Sequence, residues 1–170
     1  MKKKAKVYLE ASALWNLFYG EPGQNIVEFS LEKEDIFCSS SIWSHLEIHR
    51  GIMKRINQEE LTIDEGNDLR RFIDFSLRRL ATRKRLREYD VSRDLVERTK
   101  ELISSYNLYA SDALHFSTAI SNDCSIVLVD DYHLSRIGKK FSKEIDIAIL
   151  STSTSIDKFS SELKRALSKK

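Results

Sequence analysis

Val7-Tyr8-Leu9-Glu10-Ala11-Ser12-Ala13-Leu14 is the stretch from which the fold can be read. Val7, Tyr8 and Leu9 form a short apolar strand. From Ser12 onward the spacing turns helical, with Ala13, Leu14, Leu17 and Phe18 on one side. An acid, Glu10, stands at the strand's exit. Gly20 to Gly23, enclosing the only proline at Pro22, then breaks the chain before a second helical pattern through Ile26, Val27 and Leu31.

The same alternation continues down the chain. Ile36 to Cys38 make a second strand, and Ser39 to Ser41 offer N-cap candidates for a helix carrying Ile42, Leu46, Glu47 and Met53. Asp64 to Arg87 is helical, with Leu69, Phe72, Ile73, Leu77 and Leu80 three and four residues apart, so that a helical hairpin insertion is expected. Glu88 to Val91 is a short third strand, Arg93 to Tyr106 a helix, and Ser111 to Ser121 a helix apolar nearly all round and therefore buried. Ile126 to Val129 and Ile145 to Leu150 are the last strands. Strands separated by helices need crossover connections, so the expected architecture is α/β, an open parallel β-sheet sandwiched by helices. It occupies residues 5–150 as one domain. Ser151 to Ser155 leads to a basic tail or short helix over 151–170.

Composition narrows the class of protein. The 28 basic residues nearly balance the 26 acidic ones, giving +2, so overall charge alone implies no nucleic-acid partner. Distribution says more. Arg78, Arg79, Arg83, Lys84, Arg85 and Arg87 form one basic run and Lys2, Lys3, Lys4 and Lys6 another; each is either a solvated face or an RNA contact. No apolar run approaches the ~20 residues that span a bilayer, and the basic start lacks the apolar stretch of a secretory signal. A soluble, cytoplasmic protein without membrane contact is expected. Cys38 and Cys124 lie beside buried strands with no CxxC pairing, as reduced core thiols do.

The acids suggest chemistry. Glu10, Glu47, Asp112 and Asp131 stand where strands pass into helices or their first turns, and Asp130 adjoins the last of them. Singly, each has a structural explanation: Asp112 suits a helix N-terminus, Asp130 and Asp131 suit a turn, and Glu47 suits a solvated helix. Together at one sheet edge they would repel one another unless a cation joined them. Carboxylate oxygens select hard ions, so Mg2+ or Mn2+ is the expected cofactor and phosphodiester hydrolysis the expected reaction. Ser12 is placed as a helix N-cap, His115 as a packing residue rather than a ligand, and Trp15, Trp43 and Phe116 as core or subunit interface.

Four motifs in order resemble the PIN-domain ribonucleases, specifically the VapC toxin type. They are Tyr8 to Leu14, Ser40 to Glu47, Tyr109 to Ile120 with Asp112-Ala113-Leu114-His115, and Val127 to Leu134. The resemblance spans Val7 to Leu150. It implies a metal-dependent endoribonuclease acting on single-stranded RNA through Glu10, Glu47, Asp112 and Asp131, with Asp130 as an additional ligand through water and Ser12 supporting the metal's water. It also implies a homodimer and a small antitoxin partner. Two positions depart from the pattern: Glu10 replaces the usual Asp, and Val129 the usual Thr. The first allows the alternative of a catalytically weakened PIN-fold module that binds RNA or protein. Phosphatase chemistry lacks its DxD, and dinucleotide binding lacks its GxGxxG.

Overall fold

The structure is a computed structural model that describes residues 4–20, 22–130 and 147–168. Five parallel strands form one sheet: β1 (Ala5–Leu9), β2 (Ile36–Ser41), β3 (Leu86–Tyr89), β4 (Ile126–Val129) and β5 (Ala148–Ser151). Their order is β3-β2-β1-β4-β5. Among the described residues the helices are α1 (Ala11–Tyr19), α2 (Gln24–Glu32), α3 (Trp43–Asn57), α4 (Ile63–Thr82), α5 (Arg93–Tyr106), α6 (Ala110–Ser121) and α7 (Ile156–Ser168). None of them is long and apolar enough to cross a membrane.

The order of strands dictates the layers. From β1 through β2 to β3 the chain moves toward one edge; it then returns to the other side of β1 for β4 and β5. Parallel crossovers are right-handed, so helices connecting strands in opposite directions fall on opposite faces. Residue alternation in the strands records this. Val7 and Leu9 of β1, with Ile126 and Leu128 of β4, pack against Leu14, Ile26, Ile52, Leu77 and Phe159 from α1, α2, α3, α4 and α7. Tyr8, Val127 and Val129 face the other way, against Ala113, Phe116 and Ala119 of α6. Each fully buried leucine in these layers contributes roughly 1.5–3 kcal/mol.

Several boundaries differ from the sequence expectation. The helix expected to run to Arg87 ends at Thr82, and Leu86 and Arg87 already belong to β3, where Leu86 is buried. Ser39, Ser40 and Ser41 continue β2 instead of capping α3 as a group, because each is wholly buried in the sheet. Ser41 alone retains a capping bond, from the Trp43 amide at 3.2 Å. The segment after β5 folds as α7, with Phe159 and Leu163 in the core.

Candidate metal centre

A sheet whose strand order reverses about β1 has a crevice at the C-terminal edge beside that strand, where neighbouring connections diverge. Glu10 stands there. It is the N-cap of α1, with extended backbone, and its Oε2 accepts the Ser12 amide at 2.8 Å. Ser12 is therefore not the cap; it sits one residue inside the helix, and its hydroxyl donates to the same Glu10 oxygen. That hydroxyl also accepts the Asp130 amide at 2.8 Å, tying the exit of β1 to the exit of β4. Ser40, at the end of β2, donates to the Leu9 carbonyl at 2.7 Å, so three strand exits are cross-linked.

Glu47 reaches the same point from α3. The Ser111 hydroxyl of α6 donates to its Oε1, and its Oε2 lies 2.5 Å from His115 Nε2. His115 Nε2 also lies 3.6 Å from Glu10 Oε1, and one ligand atom from each of Glu10, Glu47 and His115 falls within 4.8 Å of the others. On its far side, His115 Nδ1 contacts the Tyr8 hydroxyl at 2.7 Å. Tyr8 is wholly buried and His115 is 1% exposed, so neither has bulk water as an alternative partner.

The electrostatics follow from this burial. Desolvation is the largest influence on Glu10 and raises its pKa above the ordinary carboxylate value, against the opposing charge of His115 and the bonds from Ser12. Burial would raise Glu47 as well, but hydrogen bonds from His115 and Ser111, with the charge of His115, hold it below its ordinary value. Burial disfavours the imidazolium of His115; the bond to Glu47 and the charges of Glu10, Glu47 and Asp112 outweigh it and raise its pKa. Tyr8 is pushed well above its ordinary value by burial first and by Glu10 second, so its hydroxyl keeps its proton.

The remaining expected residues divide. Asp112 lies in the first turn of α6, one turn ahead of His115, close enough for its charge to act on the ring. Asp130 lines the cavity in front of Glu10 and accepts Thr152 Oγ1 at 2.6 Å. Thr152 in turn accepts Asn16 Nδ2 at 3.0 Å. Gly23 closes over this pair with φ +106°, where a Cβ would lie 2.6 Å from Thr152. Asp131 lies outside the described residues.

Part of the basic run lies away from the carboxylates. Arg83, Lys84 and Arg85 lead into β3, at the N-terminal edge of the sheet, and Arg85 Nη1 donates to the Glu32 carbonyl at 3.3 Å. A crossover must bring the chain back to that edge before a parallel strand starts, so residues just ahead of β3 lie at the opposite end from the carboxylates. Arg78 and Arg79 belong to the last turns of α4, and Arg87, on β3, stacks over the Tyr89 ring at 5.0 Å. Among the described residues, the cations lining the carboxylate cavity are Lys54 and Arg55, from the last turn of α3. Arg55 stacks on Tyr19 at 4.0 Å and pairs with Glu60 at 2.6 Å.

Sequence reasoning missed Tyr8, Ser111, Lys54 and Arg55. A signal existed for the first: the one hydroxyl in an apolar strand and the one imidazole in an apolar helix each need a buried partner.

The donor set suits a hard divalent ion. Glu10 lines the cavity, its Oε1 3.6 Å from His115 Nε2, and Glu47 supplies a second carboxylate there. The cavity encloses about 530 Å³, room for a phosphate group and its flanking sugars.

Comparison with known proteins fits this geometry. A protein-family model described as PIN domain matches residues 7–140. Among solved structures, VapBC2 from Rickettsia felis bound to a promoter DNA fragment is 16% identical, with a TM-score of 0.56 over 86% of this chain and 98% of that one. The sarcin-ricin loop cleaving toxin VapC20 of Mycobacterium tuberculosis is 16% identical, with a TM-score of 0.59 over 78% and 95%. A toxin-antitoxin complex from Klebsiella pneumoniae is 16% identical, at 0.54 over 86% and 97%. At such identities the likeness is one of fold. No curated protein sequence matches the chain.

Proposed function

The chain belongs to the PIN domain family, and from that premise we propose that it is a metal-dependent endoribonuclease that hydrolyses single-stranded RNA as the toxin of a toxin-antitoxin pair. The observation that carries this is the convergence of Glu10, Glu47 and His115 within 4.8 Å beside the strand-order reversal. Glu10, Glu47 and Asp112, with Asp130 and Asp131, would hold Mg2+ or Mn2+. When bound, the ion would activate water and neutralise charge developing on the phosphate.

The chain's own residues prepare that step. Ser12 fixes Glu10 through amide and hydroxyl, and Ser111 and His115 fix both oxygens of Glu47, so the carboxylates need little reorganisation. Lys54 and Arg55 at the cavity draw the RNA backbone toward it. The solved relatives named as toxin-antitoxin complexes support an antitoxin partner, and one named for cleaving the sarcin-ricin loop supports RNA as substrate. A homodimer acting in the cytoplasm accords with that reading.

Glu10 favours a second reading. One of its oxygens is committed to capping α1, which a weakened, RNA- or protein-binding module would tolerate. Cleavage of labelled single-stranded RNA with Mn2+, with and without chelator, separates the two. Chelator-sensitive cleavage that Glu47→Gln and Asp112→Asn abolish supports the nuclease; RNA binding without cleavage overturns it.

A further inference from the structure

Resting on the single-stranded RNA reading, we propose that Trp15 is the stacking platform for an unpaired nucleobase joined to the phosphate at the carboxylates, with Tyr19 and Arg55 as its backing. Trp15, expected in the core or at a subunit interface, packs against the core and also lines the carboxylate cavity beside Glu10 and Glu47. It is only partly buried. Trp15 and Tyr19, four residues apart on α1, stack with ring centroids 4.9 Å apart and 18° between their planes. The Arg55 guanidinium lies over both rings, 4.0 Å from the Tyr19 centroid and 5.3 Å from that of Trp15, and Glu60 pairs with it at 2.6 Å.

The facing helix makes room for the indole. Gly51, Lys54, Arg55 and Gln58, spaced i, i+3, i+4 and i+7 along α3 and its C-cap, line the same cavity. Glycine inside a helix is unfavourable relative to alanine, and here the missing side chain has a use: a Cβ on Gly51 would stand 3.2 Å from Trp15 Cζ3. Gly51 lies one turn beyond Glu47, roughly 5–6 Å along the axis, so a nucleoside attached to a phosphate at Glu47 reaches the ring. Aromatic faces with a cation alongside hold single strands with little regard to sequence, because every base has a π face. A paired base keeps its faces inside the duplex stack. The platform thus selects unpaired RNA, which the carboxylates alone do not.

The test titrates the whole chain, in chelator so that nothing is cleaved, with oligouridylate and with an abasic ribose-phosphate strand of equal length and charge. Wild type should bind oligouridylate at least about fivefold more tightly than the abasic strand, and Trp15→Leu should bring the two within about twofold. Phosphate contact alone predicts equal affinities. A second measurement leaves Trp15 in place: in Trp43→Phe, where it is the one tryptophan of the chain, its emission should be quenched by oligouridylate and not by the abasic strand. Equal affinities in the wild type, or emission that oligouridylate leaves unchanged, overturn the inference. A Trp15→Leu protein that keeps the base preference but sediments as a different oligomer assigns the ring to a subunit contact and overturns it too. Binding of neither strand does the same, while the nuclease reading stands or falls separately on chelator-sensitive cleavage.

Discussion

The Ser12 hydroxyl accepts the backbone amide of Asp130 at 2.8 Å, across 118 residues of sequence. Because the same hydroxyl donates to Glu10, one side chain sets the distance between the exits of β1 and β4. Losing both bonds should cost about 1–3 kcal/mol, since a typical net hydrogen bond contributes about 0.5–1.5 kcal/mol. Ser12→Ala is thus expected to lower the urea midpoint and weaken Mn2+ binding together, whereas Ser12→Thr preserves both. Equal Mn2+ affinity in Ser12→Ala and wild type, by calorimetry, would show that the hydroxyl does not organise the centre.

Glu10→Asp is expected to raise RNA cleavage. A shorter acid still caps α1, as Asp is among the preferred N-caps, and it withdraws the carboxylate toward the backbone position that the PIN family's usual Asp occupies. Single-turnover cleavage in Mn2+ checks this. A lower rate would mean that the surroundings of Glu10, chiefly Ser12 and His115, have adapted to the longer side chain.

Lys54 and Arg55 rather than the Arg83 to Arg85 run should govern RNA affinity at the cavity. Each phosphate contact to a single strand contributes about 0.7 to the slope of log affinity against log salt. Replacing both Lys54 and Arg55 with alanine should flatten that slope by about 0.7–1.4, and replacing Arg83 and Arg85 should leave cleavage at the cavity unchanged. The reverse result, from filter binding across a salt series, would place the RNA on the N-terminal edge of the sheet.

Stability should fall with rising pH through His45. Its Nε2 lies 2.5 Å from Glu88 and its Nδ1 3.9 Å from Asp74, and the bond to Glu88 is the largest influence raising its pKa from 6.5, with burial opposing it. The protonated form is favoured by folding, so this contribution is complete below the unfolded value and is lost as pH rises through the folded one. Urea midpoints measured between about pH 6 and pH 9 should decline in the wild type and decline less in His45→Gln. Parallel declines in the two proteins would assign the loss to other groups.

How far the sequence reached depends on whether a feature is local. Val7-Tyr8-Leu9 and Ile126 to Val129 announce buried strands because an apolar run can be stable in a sheet only if both faces are covered, and the helices between them require parallel pairing. Glu10 and Asp130, at the exits of β1 and β4, were legible for the same reason: the C-terminal edge follows from strand direction, whereas Asp112 follows α5 and Glu47 lies inside α3. Ser12 was misplaced as the cap because Glu10 has the reach to do the capping itself, a difference of two residues that spacing does not resolve.

What the sequence determined by itself is therefore the alternating strand-helix plan and the placing of Glu10 at an open strand end, since both follow from short-range periodicity and chain direction. What only the tertiary structure decided is which side chains meet there. Tyr8 and His115 are 107 residues apart, and Lys54 and Arg55 reach the cavity while Arg83 and Arg85 lie at the other edge. Such meetings depend on the packing angle of α3 and α6 over the sheet, which is set by the summed burial of both cores and not by any one stretch of residues.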